Sequence, residues 1–349
     1  MIRVNKNLKY IAEYKPSDRG GNLSFSKLDW NECNLKIDRK ILKKIFKSLN
    51  KINLTEYPNI DNESLLLKLS NYCNVNKESI QIFNGSDSAL HYIFATFLNK
   101  DTKVLVFYPN YSQIESYISL YSNHLNFSNI DNVFGEYVYN FDDINNNDVI
   151  YFSNPNNPTG LHLSTDTIES LLKKHPNKLF IIDEAYYEFA GETCVNLVES
   201  YDNIIVTRTF SKAFSMASIR LGYVCTNINN IKSINKIRNT KEVNSFAQHI
   251  GEFLLDNIHL IKNRVKKIEK NKEFLMVGLD CLKIEYINSK SNFILIRHPK
   301  KDLFVGELLK ERILVRDRSM YHNLVNCVRI TIGSRSEMKK IINILNNIN

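Results

Sequence analysis

Short apolar runs alternate with amphipathic stretches through the middle of the chain. Residues 80–83, 103–107, 149–153, 179–182, 204–207 and 221–224 are apolar runs of strand length. Between them, 88–98, 112–121 and 164–174 carry apolar residues at helical spacing; Ala89, Tyr92, Ile93 and Phe97 mark the first. Strands that are apolar throughout and separated by helices predict a largely parallel sheet covered on both faces. Residues 231–272 read as mainly helical, 293–296 and 328–331 as strands, and 336–345 as a final helix. The expected fold is therefore α/β. A large domain over 38–240 is expected to hold the mostly parallel sheet. Residues 1–37 and 241–349 are expected to form a smaller α+β domain. No Pro/Gly-rich linker and no internal repeat interrupts the pattern.

Composition narrows the class. The 349 residues are 43% hydrophobic and 24% charged, ordinary for a globular protein with a sizeable core. The net charge of +9 is spread along the chain, and no basic arm or block suggests nucleic acid. The densest basic stretch, 264–270, reads as the wet face of a helix. Six scattered cysteines form no C-x-x-C and no metal-ligand spacing, so reduced thiols and no metal site are expected. Residues 1–10 lack an apolar signal core, and no run of about 18 apolar residues suggests a membrane span. A cytoplasmic location follows as the expectation.

Four pieces of sequence then carry chemistry. Lys212 sits in Thr209-Phe210-Ser211-Lys212-Ala213-Phe214, with Arg220 eight positions on. Asp183 ends an apolar strand and opens Asp183-Glu184-Ala185-Tyr186. Asn157 lies in Asn154-Pro155-Asn156-Asn157-Pro158-Thr159-Gly160, a rigid turn. Gly85-Ser86-Asp87 ends a strand and opens a helix, where free N–H groups bind phosphate. Together they match what pyridoxal 5′-phosphate requires. Lys212 supplies the amine for covalent attachment, and Asp183 partners the ring nitrogen. Asn157 and Tyr186 partner the ring hydroxyl. Gly85, Ser86, Asp87, Thr209, Ser211 and Arg220 surround the phosphate, and Tyr111 could stack on the ring. Taken singly, each has a plainer reading: a surface lysine, a helix N-cap or metal ligand, an Asn-Pro turn, a core aromatic.

These motifs resemble fold-type I pyridoxal phosphate enzymes, the aminotransferase class I/II superfamily. Within it the chain is most similar to the histidinol-phosphate aminotransferase family. Tyr57-Pro58-Asn59, Ser291-Asn292-Phe293, Val315-Arg316-Asp317 and residues 328–335 add to the likeness, which spans roughly 28 to 345. The resemblance implies a homodimer with shared active sites, in which Tyr57 reaches the cofactor phosphate of the other subunit. It implies that Arg329 clamps a substrate carboxylate and Arg316 a substrate phosphate, with Asn31 and Tyr14 also touching substrate. One segment departs: the family usually reads Asn-Glu-Asn-Pro and then Gly, whereas this chain has Trp30-Asn31-Glu32-Cys33-Asn34. Other small phosphorylated amines or amino acids are therefore open as substrates.

The reaction implied is a two-stage transamination, with Lys212 moving a proton at the substrate α-carbon. The same parts would serve a phospho-amino-acid decarboxylase resembling threonine-phosphate decarboxylase. A non-catalytic anion or nucleic-acid binder is the remote third reading.

Overall fold

The computed structural model describes residues 25–35 and 37–349. An eight-stranded sheet forms the larger layer. Its spatial order is Ile80–Phe83, Gly222–Thr226, Ile204–Thr209, Leu179–Asp183, Val149–Ser153, Lys103–Tyr108, His124–Asp131 and Val138–Tyr139. The five strands from Ile204–Thr209 to His124–Asp131 pair in parallel. Gly222–Thr226 runs antiparallel to both its neighbours, and Val138–Tyr139 is an antiparallel edge.

The two faces of this sheet explain why its strands lack polar alternation. Val104, Val106, Val149, Tyr151, Ile181, Ile205 and Val224 pack into one core with Ile93, Phe94, Ile114 and Ile234 from helices. Leu105, Phe107, Ile150, Phe152, Phe180, Ile182, Ile204 and Val206 pack into the other, with Ile168, Leu172, Leu65 and Leu254. Successive residues point to opposite faces. A strand covered on both sides must therefore be apolar at every position.

The second sheet is antiparallel, in the order Glu285–Ile287, Phe293–Arg297, Cys327–Thr331, Arg316–Asp317. Helices Ile258–Cys281, Lys301–Lys310 and Arg335–Ile348 accompany it. The last begins with a capping box, in which Ser334 and Glu337 satisfy each other's backbone donors. Near the start, Ser26–Lys27 pairs in parallel with Ile313–Leu314.

Some boundaries differ from the sequence expectation. The helical region is three helices, Ile228–Asn235, Ser245–Asp256 and Ile258–Cys281, not one stretch. Asparagines punctuate it: Asn227 and Asn244 each accept N–H bonds at a helix start. The helix expected from residue 88 begins at Gly85. The strand His124–Asp131 was not anticipated, because near the sheet edge most of its positions face solvent and no apolar run marks it.

Candidate active site

The carboxyl ends of the parallel strands open onto a cavity of about 710 Å³. Open α/β sheets bind ligands at that place. Asp183 is the last residue of its strand, in register with Ser153 on one side and Thr207 on the other. Its carboxylate is buried. Tyr151 donates to Oδ2 and Thr207 to Oδ1, both at 3.0 Å. Burial nevertheless pushes its pKa up to about 6, so two hydroxyls do not replace the water it lost. A cation is the missing partner. Glu184, next in the chain, points away from the cavity and pairs with Arg208 at 2.9 Å in the core.

Lys212 lines the cavity, and its Nζ donates to the Trp30 carbonyl at 3.1 Å. Beside it, Arg220 pairs with Asp87 at 3.1 Å and its Nη1 donates to Ser211 Oγ at 3.4 Å. Thr209 Oγ1 donates to Ser211 Oγ at 3.0 Å, and the Tyr111 hydroxyl donates to Asp87 at 3.3 Å. Arg220 takes a left-handed backbone conformation, φ +54°, which costs a non-glycine residue about 1 kcal/mol. Two glycines make the approach possible. A Cβ on Gly85 would fall 2.5 Å from Arg220 Nη2, and one on Gly222 would fall 2.5 Å from the Ser86 backbone N. The helix start is thereby drawn tight against the neighbouring strand.

A second group of residues comes from the antiparallel sheet. Arg316 and Arg329 are directly opposed across two strands, and both line the cavity with Arg318. Arg329 is buried. Burial, and then the neighbouring Arg318 charge, bring its pKa down to about 9. Its Nη1 donates to Asn157 Oδ1 and its Nη2 to the Asp29 carbonyl. Asn31, at φ +57°, donates its side-chain amide to the Tyr186 hydroxyl at 2.8 Å.

The structure therefore brings together Asn31, Ser86, Asp87, Tyr111, Asn157, Asp183, Tyr186, Thr209, Ser211, Lys212, Arg220, Arg316 and Arg329 around one space, with Gly85 immediately behind. Two expectations fare differently. Tyr57 is not at this cavity: it is 75% exposed, with Lys241 Nζ 4.1 Å above its ring. The segment that carries it, residues 51–61, is mostly exposed. Tyr14 lies outside the described residues. Asn157 is also more committed than its turn suggested, because Arg329 occupies its Oδ1; its Nδ2 is the group left to donate. Arg318, Gln113 and Gly222 escaped the sequence reading, and Trp30 entered it only as part of the departing segment 30–34. Arg318 left a trace, standing two positions after Arg316 on the same side of an extended segment.

The donor set fits pyridoxal phosphate. A buried carboxylate short of a cation, a primary amine, two hydrogen-bond donors in Asn157 and Tyr186, and a glycine-cradled helix start beside an arginine are its complement. Among the described residues, no cluster of three metal-ligating side chains occurs.

Residues 25–345 match the model of the family described as aminotransferase class I and II. A dihydroxyacetone phosphate transaminase from Campylobacter jejuni is 34% identical, over 97% of this chain and 95% of its own length. A histidinol-phosphate aminotransferase from Lactococcus lactis is 36% identical, over 84% of this chain and 82% of its own. The crystal structure of the histidinol-phosphate aminotransferase from Sinorhizobium meliloti, in complex with pyridoxal 5′-phosphate, superposes with a TM-score of 0.88. That match covers 100% of this chain and 99% of the other, at 18% identity, a likeness of fold: the α/β architecture of fold-type I enzymes.

Proposed function

The chain belongs to the aminotransferase class I and II family, and from that premise we propose that it is a pyridoxal phosphate-dependent transaminase of small phosphorylated amines. One observation carries this reading. Lys212 and Asp183 share a cavity with three arginines that stand apart from the Arg220–Asp87 pair. When bound, pyridoxal phosphate supplies an aldehyde that captures a primary amine and a ring that accepts the electron pair left at the amine-bearing carbon.

Each of the chain's residues has a part. Asp183 holds the proton of the ring nitrogen, which provides the cation its buried carboxylate lacks. Asn157 Nδ2 and the Tyr186 hydroxyl donate to the ring oxygen, and Tyr111 faces the ring. The helix-start N–H groups of Ser86 and Asp87, left open by Gly85, the hydroxyls of Thr209 and Ser211 and the Arg220 guanidinium would hold the cofactor phosphate, with the Asp87 carboxylate positioning Arg220. Lys212 Nζ anchors the cofactor and, once released, takes and returns a proton at the amine-bearing carbon.

The arginines select the substrate. Arg316, Arg318 and Arg329 receive a phosphate ester and, in the second stage, the carboxylate of an amino acceptor such as a 2-oxo acid. The substrates named for the Campylobacter and Lactococcus relatives are both phosphate esters, which supports this reading. Exposed Tyr57 is assigned to the phosphate of the partner's cofactor in a homodimer. The enzyme is assigned to the cytoplasm, where its six cysteines stay reduced; no helix among the described residues is long and apolar enough to cross a membrane.

The test is a single turnover of the holoenzyme with a panel of phosphorylated amines. The panel includes serinol phosphate, histidinol phosphate, serine phosphate and threonine phosphate. Loss of the cofactor's visible absorbance with formation of a carbonyl product, and without CO2, is the expected result. CO2 release with the absorbance restored would make the protein a decarboxylase instead.

A further inference from the structure

We infer that Trp30 sets the size limit of the substrate: its indole is a fixed wall beside the reacting carbon, so the enzyme takes phosphorylated amines with short aliphatic arms. The inference rests on the transaminase reading above and narrows it.

The backbone around Trp30 is pinned on both sides. Arg329 Nη2 donates to the Asp29 carbonyl. The Asn31 N–H donates to Thr331 Oγ1 at 3.0 Å, and Asn292 Nδ2 donates to the Asn31 carbonyl at 3.0 Å. Between these anchors, the Trp30 carbonyl accepts from Lys212 Nζ at 3.1 Å. A carbon that gives its proton to Lys212 must come within hydrogen-bond reach of that amine. Residue 30 is therefore among the nearest neighbours of substituents on that carbon.

The indole is itself held. Lys27 Nζ lies 4.2 Å from the ring centroid, a cation–π contact, and Lys27 is paired with Glu32 at 2.9 Å. Trp30 and Glu32 both line the cavity. A large side chain with a pinned backbone and a paired cation against its ring resists displacement by a bulky ligand. A short phosphorylated arm passes it; an imidazole-bearing arm meets it.

Trp30 is also the single tryptophan of the chain, so tryptophan emission, excited selectively over tyrosine, reports on this wall. Titrating the holoenzyme with glycerol 3-phosphate, a short phosphate ester with no amine, should change that emission saturably. In steady-state assays, wild type should favour serinol phosphate over histidinol phosphate in kcat/KM. Pocket fit of this kind discriminates by roughly 10- to 200-fold. The ratio should fall in the order wild type, Trp30→Leu, Trp30→Ala, with the alanine variant at least about tenfold lower. Because the leucine variant keeps an apolar filling, it serves if the alanine variant folds poorly. A ratio unmoved by either substitution, or a wild type that favours the imidazole donor, would overturn the inference. If wild type turned over no amine at all, the transaminase reading would fail instead. The fluorescence titration would then decide alone whether Trp30 borders a phosphate-ester site, and an unresponsive emission would end the proposal.

Discussion

Two groups of charged residues face the same cavity, and they are built in opposite ways. Around Asp183 and Arg220 the polar groups are hydrogen-bonded to one another, and only the Asp183 carboxylate still lacks a cation. Tyr151 and Thr207 engage the carboxylate, Asp87 engages Arg220, and Thr209 and Ser211 hold each other. The arginines of the antiparallel sheet are the reverse. Arg316 and Arg329 oppose each other across paired strands, an arrangement that like charges make unfavourable. Among the described residues, no carboxylate lies within ion-pair distance of either. The contrast separates a group whose members hold one another from a pair of like charges that no side-chain carboxylate among the described residues offsets. The first favours rigidity. The second favours selection, because an anion gains most where unrelieved positive charge is already buried.

The sharpest way to break this contrast is at the reactive amine. Lys212→Ala should lower turnover by at least about 10³-fold, the scale of a lost general base. Steady-state rates with any accepted amine would show it, and a variant within tenfold of wild type would remove Lys212 from the mechanism.

Asp183 comes next. Its folded pKa of about 6 stands above the ordinary 3.8 because of burial. A raised carboxyl pKa means that the folded apo-protein holds the proton more tightly than the unfolded chain. The apo fold is thus favoured in acid and penalised as pH rises from 4 through 6. At about 1.4 kcal/mol per pH unit, the penalty reaches about 3 kcal/mol at neutral pH. Urea unfolding of the apo-protein should show wild type losing about that much relative to Asp183→Asn between pH 4 and 7. Parallel stability curves would show that the carboxylate is not starved of a cation.

On the arginine side, Arg316→Ala should reduce kcat/KM for phosphorylated amines at least about tenfold more than for unphosphorylated ones, as loss of one charge-assisted contact predicts. Equal losses would make Arg316 structural.

The smallest effect is one of pH. Burial and the Arg318 charge bring the Arg329 pKa down to about 9, so its grip on an anion should loosen at alkaline pH. Inhibition by inorganic phosphate should therefore weaken severalfold between pH 8 and 10, where the ligand's own charge is steady. A flat profile would mean that Arg329 does not face the anion.

Much of the first group was legible in the chain. Asp183, Lys212, Asn157 and Gly85 each follow an apolar strand or sit in a turn rich in Pro and Gly, so local pattern placed them at strand ends. Their supports were not legible. Tyr151 reads as one more apolar residue, and only strand order sets it against Asp183. Gly222 looks like an ordinary strand glycine until the Ser86 backbone is found where its Cβ would stand. Tyr57 is exposed away from the cavity, and no local pattern relates it to the site. The strand His124–Asp131 was missed because a next-to-edge strand with most of its positions in solvent carries no apolar signature.

The sequence by itself determined the alternating α/β order, the doubly covered parallel strands and the chemistry of the residues at their ends. Those are local matters: apolar periodicity over a few residues selects the element, and the residue that ends the run is presented at the sheet's edge. Only the tertiary structure decided that Asn31 meets Tyr186, that Arg329 meets Asn157, and that the Trp30 carbonyl meets the Lys212 amine. These contacts join residues more than 150 positions apart. Such pairings are set by how the antiparallel sheet and the segment leading from residue 25 seat against the larger one. That seating depends on packing summed over many side chains, and no short stretch of the chain encodes it.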